Sequence, residues 1–294
     1  MASHNESFQV LVHPYEGPAK GACAYELGNT SSRNAIIFVG GLSDGPHTVP
    51  YIRTVAKHLA SATSVSYSVF EIRLRSAFTG FGTASLKDDV EDIAALVKHL
   101  RSIGKDKIVL FGHSTGCQDC MEYTNYAKHE NPPVDGFILQ APVSDREGLD
   151  FICSDKAGLD LASDWLAQGK GDHCLPPDAI PSVLGKPPMS AYRLHSLRAK
   201  GGDDDYFSSD FDDETVTRIW GRYEKPVLVL HSGADEFVPP TVNQEALNER
   251  YRRANPLVSK LSGLIPEAEH AVLGDEAREW LAIRVIEFLK TLEH

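Results

Sequence analysis

The pentapeptide Gly112-His113-Ser114-Thr115-Gly116 sets a serine between two glycines in the pattern G-x-S-x-G. Chance supplies that pattern about 0.1 times in a chain of this size, if glycine is roughly 7% of residues and serine similar. Its surroundings give it meaning. Lys107-Ile108-Val109-Leu110-Phe111 reads as a strand and the residues from Cys117 as a helix, the strand-turn-helix that presents a strained, exposed nucleophilic serine. In such a turn a side chain at 112 or 116 would collide with the neighbouring strand or helix, which is why glycine stands there. The competing reading is a plain glycine-rich connection.

A serine hydroxyl becomes nucleophilic when a base takes its proton, and the base works when a carboxylate orients it. Asp235 closes the turn after the apolar run Val227-Leu228-Val229-Leu230-His231, and His270 lies between the last expected strand and the final helix. Serine, aspartate and histidine thus occur in the order expected of loops leaving one parallel sheet. Asp210, Asp212, Asp213 and Glu236 compete for the carboxylate role, but three lie in an irregular stretch and Glu236 is one residue past the turn. His113 and His231 compete as bases and sit too close to strand ends. Stabilising a developing oxyanion takes two backbone donors. The N–H of Thr115, next to the serine, is one; the second is placed at Leu42, in Gly40-Gly41-Leu42-Ser43-Asp44-Gly45. A phosphate loop is the rival reading of that glycine run, but it lacks the Lys-Ser/Thr such a loop uses.

The elements that must position these residues alternate. Phe8 to Glu26 suggests a two-stranded hairpin, and Asn34 to Val39 a buried parallel strand. Helical spacing follows at Pro50 to Ala60, a β-branched and aromatic strand at Ser64 to Ile72, and a helical stripe from Leu86 to Leu100 that stops at Gly104. A helix is expected over Gln118 to Lys128 and a strand over Val134 to Gln140. After the strand at 226–231 come a helix at Thr241 to Arg252, a weak strand near Val258 to Ile265 and an amphipathic helix at Glu276 to Leu289. The fold class expected is α/β, a mostly parallel central sheet with helices on both faces.

Around Pro142 the pattern breaks. Through Tyr223 the chain is crowded with Asp, Gly, Pro and Ser, so residues 142–223 are read as a cap or lid inserted between core parts 1–141 and 224–294 of a single catalytic domain. Asp203, Asp204 and Asp205, with Asp210, Asp212 and Asp213 near them, would place negative charge near a pocket mouth; a solvated acidic loop is the plainer alternative. Trp165, Tyr192, Phe207 and Trp220 are candidate pocket aromatics, although packing within the cap is the commoner role for such side chains.

Composition narrows the partners. A formal net charge of −12 disfavours nucleic acid and offers no polybasic segment to an anionic membrane, so a small molecule is the partner expected. No apolar run reaches the roughly 20 residues of a membrane span, and Met1 to Val12 lacks the features of a secretory signal. Five cysteines, an odd number without metal-type pairing, suit a reducing cytosol. Cys117 and Cys120 form a C-x-x-C, read as small helix-packing residues rather than a redox pair. No cofactor and no metal are expected.

Together these features resemble the α/β-hydrolase superfamily over nearly the whole chain. More narrowly, Gly112-His113-Ser114-Thr115-Gly116-Cys117-Gln118-Asp119 and Phe38-Val39-Gly40-Gly41-Leu42-Ser43-Asp44-Gly45 resemble the fungal siderophore esterases, cytosolic enzymes related to a formerly uncharacterised domain family. That resemblance implies hydrolysis of ester bonds in cyclic hydroxamate siderophores, fusarinine C or its triacetylated form, so that iron is released after uptake. Ser114 would attack, His270 act as base and then acid, and Asp235 fix its tautomer. The alternatives are another carboxylic ester or thioester hydrolase, since a fold does not choose a leaving group, and a non-catalytic ligand-binding relative. Retention of all three residues argues against the last.

Overall fold

In the computed structural model, which describes residues 7–153 and 156–293, eight strands form one sheet in the order β1-β2-β4-β3-β5-β6-β7-β8. These are β1 (Leu11–Pro14), β2 (Cys23–Leu27), β3 (Asn34–Val39), β4 (Tyr67–Ile72), β5 (Ile108–His113), β6 (Gly136–Gln140), β7 (Val227–Ser232) and β8 (Gly263–Ile265). The first two make the expected hairpin and β2 runs antiparallel to β4; every pairing from β4 to β8 is parallel. The expected weak strand at 258–265 shrinks to three residues, with Val258 retained only as an isolated bridge to Val227.

Strand alternation distributes the core between two faces. Ala35, Ile37, Val39, Leu110, Phe137, Leu139, Val227 and Val229 point one way, onto α2 (Leu86–Ser102), α3 (Gly116–Tyr123), α8 (Asp213–Trp220) and α9 (Gln244–Ala254). Ile36, Phe38, Val109, Phe111, Ile138, Leu228 and Leu230 point the other way, onto α1 (Tyr51–Ser61) and α10 (Asp275–Thr291). Because both faces are covered, these strands read as continuous apolar runs rather than as alternating ones. Truncating one of these fully buried leucines or isoleucines to alanine removes about 2–5 kcal/mol. The helix expected over 118–128 is two pieces, α3 and a short α4 (Tyr126–His129). The Thr124 hydroxyl bonds the Met121 carbonyl where they part, a local side-chain competitor for the helix ladder.

The connection from β6 to β7 carries α5 (Asp145–Ile152), α6 (Ala157–Ala167), α7 (Ala191–Arg198) and α8. Its packing divides it. Leu149, Ala162, Leu175, Ile180, Met189, Ala191, Leu194 and Leu197 form a separate small core with Phe81. Phe207, Val216, Ile219, Trp220 and Tyr223 instead belong to the main core, where Trp220 stacks on Tyr251 of α9 at 3.9 Å. The stretch read from sequence as one insertion, 142–223, therefore returns to the body of the domain well before Tyr223. The apolar residues of α8 repeat at helical spacing, but the acidic loop before them masks the boundary. Among the described residues no helix is long and apolar enough to cross a membrane.

Candidate active site

Ser114 stands at the C-terminal end of β5 with φ of 53°, in the left-handed region that costs a non-glycine residue of order 1–3 kcal/mol. Two bonds hold the turn: the Ser114 N–H donates to the Gln140 carbonyl at 3.0 Å, and the Ser114 carbonyl accepts from the Cys117 N–H at 2.8 Å. Both glycines of the motif are required by space. A Cβ on residue 112 would lie 2.3 Å from the Gly116 carbonyl oxygen, and one on residue 116 would lie 2.2 Å from that of Val39. Helix α3 thereby lies directly against the strand ends, and the serine is left half-buried at its N-terminus.

The β7 and β8 loops deliver the other two candidates. Asp235 and His270 are buried, and His270 Nδ1 lies 2.8 Å from Asp235 Oδ2. The second Asp235 oxygen accepts the Phe237 N–H at 3.0 Å, and Glu236 Oε2 accepts the His270 N–H at 2.8 Å. Glu236 is thus a brace on the His270 main chain while Asp235 meets its ring. The Phe237 ring sits edge-on to the imidazole at 4.7 Å. With Nδ1–H donated to a carboxylate, Nε2 carries the lone pair and can act as a general base.

Ser114 and His270 line one cavity of about 320 Å³, whose other walls include Leu42, Phe81, Leu149, Ile152, Val183, Leu184 and Phe237. It is walled mainly by apolar side chains from the β3 loop and from the β6–β7 connection. Gly41 packs against the nucleophile: a Cβ there would lie 2.6 Å from Ser114 Cβ. Asp44 Oδ2 accepts the Gly41 N–H at 2.9 Å and fixes this loop. Among the described residues neither the Leu42 nor the Thr115 N–H donates to a protein acceptor.

The competing histidines are accounted for. His113 Nδ1 bonds Gln140 Oε1 at 2.5 Å, and burial, with the neighbouring His270, pushes its pKa down to about 4. Burial likewise lowers His231 to about 4, and the ring stacks on Tyr251. Both are neutral imidazoles at pH 7. Cys117 and Cys120 are buried, unpaired thiols in the main core, with pKa values raised by desolvation.

The residues expected to meet substrate from the acidic stretch are elsewhere. Asp204 is fully buried, 2.6 Å from Arg193 Nη1, and accepts the Ser196 hydroxyl at 2.5 Å. Asp205 accepts from Arg146 at 3.3 Å and from the Gly201 N–H, and Asp203 bonds the Tyr192 hydroxyl. Phe207 and Trp220 are in the main core and Trp165 packs on the small one. None of Asp203, Asp204, Asp205, Trp165, Tyr192, Phe207 or Trp220 lines the cavity with Ser114. The physical reasons differ by residue: Arg193 and Arg146 pair with Asp204 and Asp205, the Tyr192 hydroxyl occupies Asp203, and Phe207, Trp220 and Trp165 pack in or against the cores. Two residues that sequence reading missed are Gln140 and Asp145. Asp145 lines the cavity and accepts from Gln118 Nε2 at 2.7 Å; desolvation, then the nearby Asp204, pushes its pKa up to about 8. For Gln140, the one signal available was a polar residue closing the buried run Phe137-Ile138-Leu139.

A protein family described as "Protein of unknown function (DUF1749)" matches residues 1–290. The chain belongs to that family. A UPF0613 protein of Schizosaccharomyces pombe is 34% identical to this DUF1749 chain, with 90% of each covered. The fusarinine C esterase sidJ of Aspergillus fumigatus is 30% identical, covering 91% of this chain and 92% of the relative. Among solved structures, the siderophore hydrolase EstB of A. fumigatus superposes with a TM-score of 0.82 over 98% of both chains at 28% identity. A monoglyceride lipase of Saccharomyces cerevisiae, 16% identical over 99% of both chains, has a TM-score of 0.63 and shares the fold. The DUF1749 chain thus has the α/β-hydrolase fold that the sequence motifs resemble.

Proposed function

We propose that this chain is a serine carboxylic-ester hydrolase that cleaves ester bonds of fusarinine-type hydroxamate siderophores in the cytosol, so that iron is released. The observation that carries the reading is the hydrogen-bonded Asp235–His270 pair opening onto the cavity that Ser114 also lines. The relatives named as a fusarinine C esterase and a siderophore hydrolase support the substrate class.

In this reading Ser114 Oγ attacks the ester carbonyl while His270 Nε2 takes its proton, and Asp235 stabilises the imidazolium that forms. The Leu42 and Thr115 N–H groups receive the developing oxyanion, each such donor contributing about 10²–10³ in rate. The imidazolium protonates the departing alcohol. Water, deprotonated by the same imidazole, then attacks the acyl-enzyme and frees the acid. No step calls on a cofactor, and iron enters only as the substrate's cargo. The small core around Leu194, with α5 to α7, serves as the cap. Since about 320 Å³ is near the lower end of ligand pockets, roughly 300–1,000 Å³, the cavity takes one ester arm while the remaining macrocycle lies outside.

A fluorophosphonate probe tests the chemistry directly. One label per chain on Ser114, with turnover of a short nitrophenyl ester lost in Ser114→Ala, is the expected result. Undiminished labelling or turnover in that variant refutes the assignment.

A further inference from the structure

Gln140 ends β6 at the centre of the sheet's C-terminal edge, fully buried between β5 and β7. Every polar group of its side chain is engaged. Oε1 accepts from His113 Nδ1 at 2.5 Å, while Nε2 donates to the Ser232 hydroxyl at 3.0 Å and to the His270 carbonyl at 3.3 Å. Its own carbonyl accepts the Ser114 N–H. One residue therefore touches the strand end that carries the nucleophile, the strand end that leads to Asp235, and the main chain of His270. Directly after it, Ala141 turns away at φ of 50° with its N–H on the Leu230 carbonyl, which pins β6 to β7 at this level.

From this geometry we infer that Gln140 is a positioning residue for the proposed reaction, clamping the His270 loop to the Ser114 turn and fixing the tautomer of His113. The inference rests on the proposed hydrolase chemistry. Because the Gln140 amide oxygen can only accept, His113 must carry its proton on Nδ1. Its Nε2 is then bare, 4.0 Å from Asp44 Oδ2, and its ring lies 5.1 Å from that of His270. A neutral His113 is what the reaction needs, because His270 must become cationic beside it in the transition state. Among the described residues the charged and titratable groups facing this pair are Asp44 from the β3 loop, Asp235 and Glu236 from the β7 turn, and Tyr51 of α1, whose ring stands edge-on to His113 at 5.6 Å. Gln140 adds no charge to that set. It supplies direction alone.

Two variants separate positioning from plain structural support. Gln140→Met keeps length and apolar volume but can neither accept from His113 nor donate to His270. On a short nitrophenyl ester its kcat is expected to fall about 10- to 100-fold, the scale set by roughly ångström-sized misplacement of reacting groups, with KM within twofold and a folded circular-dichroism spectrum. Gln140→Glu keeps the acceptor for His113, loses both donors and adds a carboxylate beside two imidazoles. A buried negative charge favours the imidazolium, so the acidic limb of its kcat/KM profile should move to higher pH. A merely structural residue would lower the melting temperature of both variants and leave the kcat of folded Gln140→Met within twofold of the native enzyme. Folded Gln140→Met with kcat within twofold of the native enzyme overturns the inference, as does an unmoved limb in Gln140→Glu. If Gln140→Met does not fold, the Gln140→Glu profile decides alone. Loss of Ser114-dependent turnover in the native enzyme itself would strike the hydrolase reading instead, which keeps the two failures distinguishable.

Discussion

Replacing Gly41 by alanine places a methyl group where the structure leaves no room. The added Cβ would stand 2.6 Å from Ser114 Cβ and 3.2 Å from both Ser114 Oγ and the His113 carbonyl oxygen. Carbon atoms settle at ~3.5–4.0 Å, so the methyl is about 1 Å too close to the nucleophile's own side chain. Relief is possible in two ways, and both harm the site. Either the strained Ser114 turn moves, or the β3 loop withdraws and takes the Leu42 N–H with it. A misplacement of that size costs about 10²-fold in rate, which corresponds to about 2.7 kcal/mol of lost transition-state stabilisation. Gly263→Ala is the matched control, since a Cβ there has no atom within 4 Å. The assay is kcat/KM on a short nitrophenyl ester, with thermal melts of both variants. The expected outcome is a loss near 10²-fold for Gly41→Ala with a melt resembling that of the control. Activity of Gly41→Ala within threefold of the native enzyme would refute the placement of this loop against Ser114.

Other outcomes follow from the same structure. Asp235→Asn should lower kcat about 10³–10⁴-fold on that ester, because the amide favours the wrong tautomer of His270; steady-state kinetics checks it. Asp203→Asn, which alters the contact to Tyr192, should leave kcat/KM within twofold on both free-amine and acetylated siderophores. Arg193→Met strips the buried Asp204 of its cation and should destabilise the fold by about 3–5 kcal/mol in denaturant titration. For pH, burial holds Asp89 near 7 and Asp145 near 8, so between the unfolded value and those values the native state binds more protons and stability falls as pH rises. The lowered His113 and His231, near 4, act oppositely up to about 6.5, where the unfolded imidazole loses its proton. Urea titrations should therefore show stability declining from about pH 6.5 to 8, and Asp89→Asn should flatten part of that decline.

The parts of the fold that were legible in the sequence are those governed by local periodicity. The runs Asn34 to Val39, Ile108 to Phe111 and Val227 to Leu230 are continuous in apolar character because helices cover both sheet faces, and the Leu86 to Leu100 stripe is one helical face against them. The serine turn was legible for a steric reason, since a Cβ at residue 112 or 116 would fall 2.3 or 2.2 Å from a main-chain oxygen. What could not be read is pairing over distance. Asp204 read as charge near a pocket mouth, or in the alternative as a solvated acid, because Arg193, its partner in a buried ion pair, gives no sign in its own neighbourhood of facing inward. Asp145 and Gln140 acquire their places only when β6 is set between β5 and β7. The return of α8 to the main core depends on Tyr251 and Tyr223, which receive Trp220 from a helix that sequence alone joined to the insertion.

The central claim is that Ser114 opens siderophore ester bonds. Incubating the protein with fusarinine C and with its triacetylated form, each iron-loaded, and following the products by mass addresses it directly. Expected from at least one of the two is a ring-opened chain one water heavier than the macrocycle, then smaller linear fragments whose summed mass gains one water per further ester cleaved, and neither from either substrate with Ser114→Ala. Intact macrocycles in every sample, from an enzyme that still turns over a short nitrophenyl ester, would contradict the substrate; fragments that persist in Ser114→Ala would contradict the mechanism.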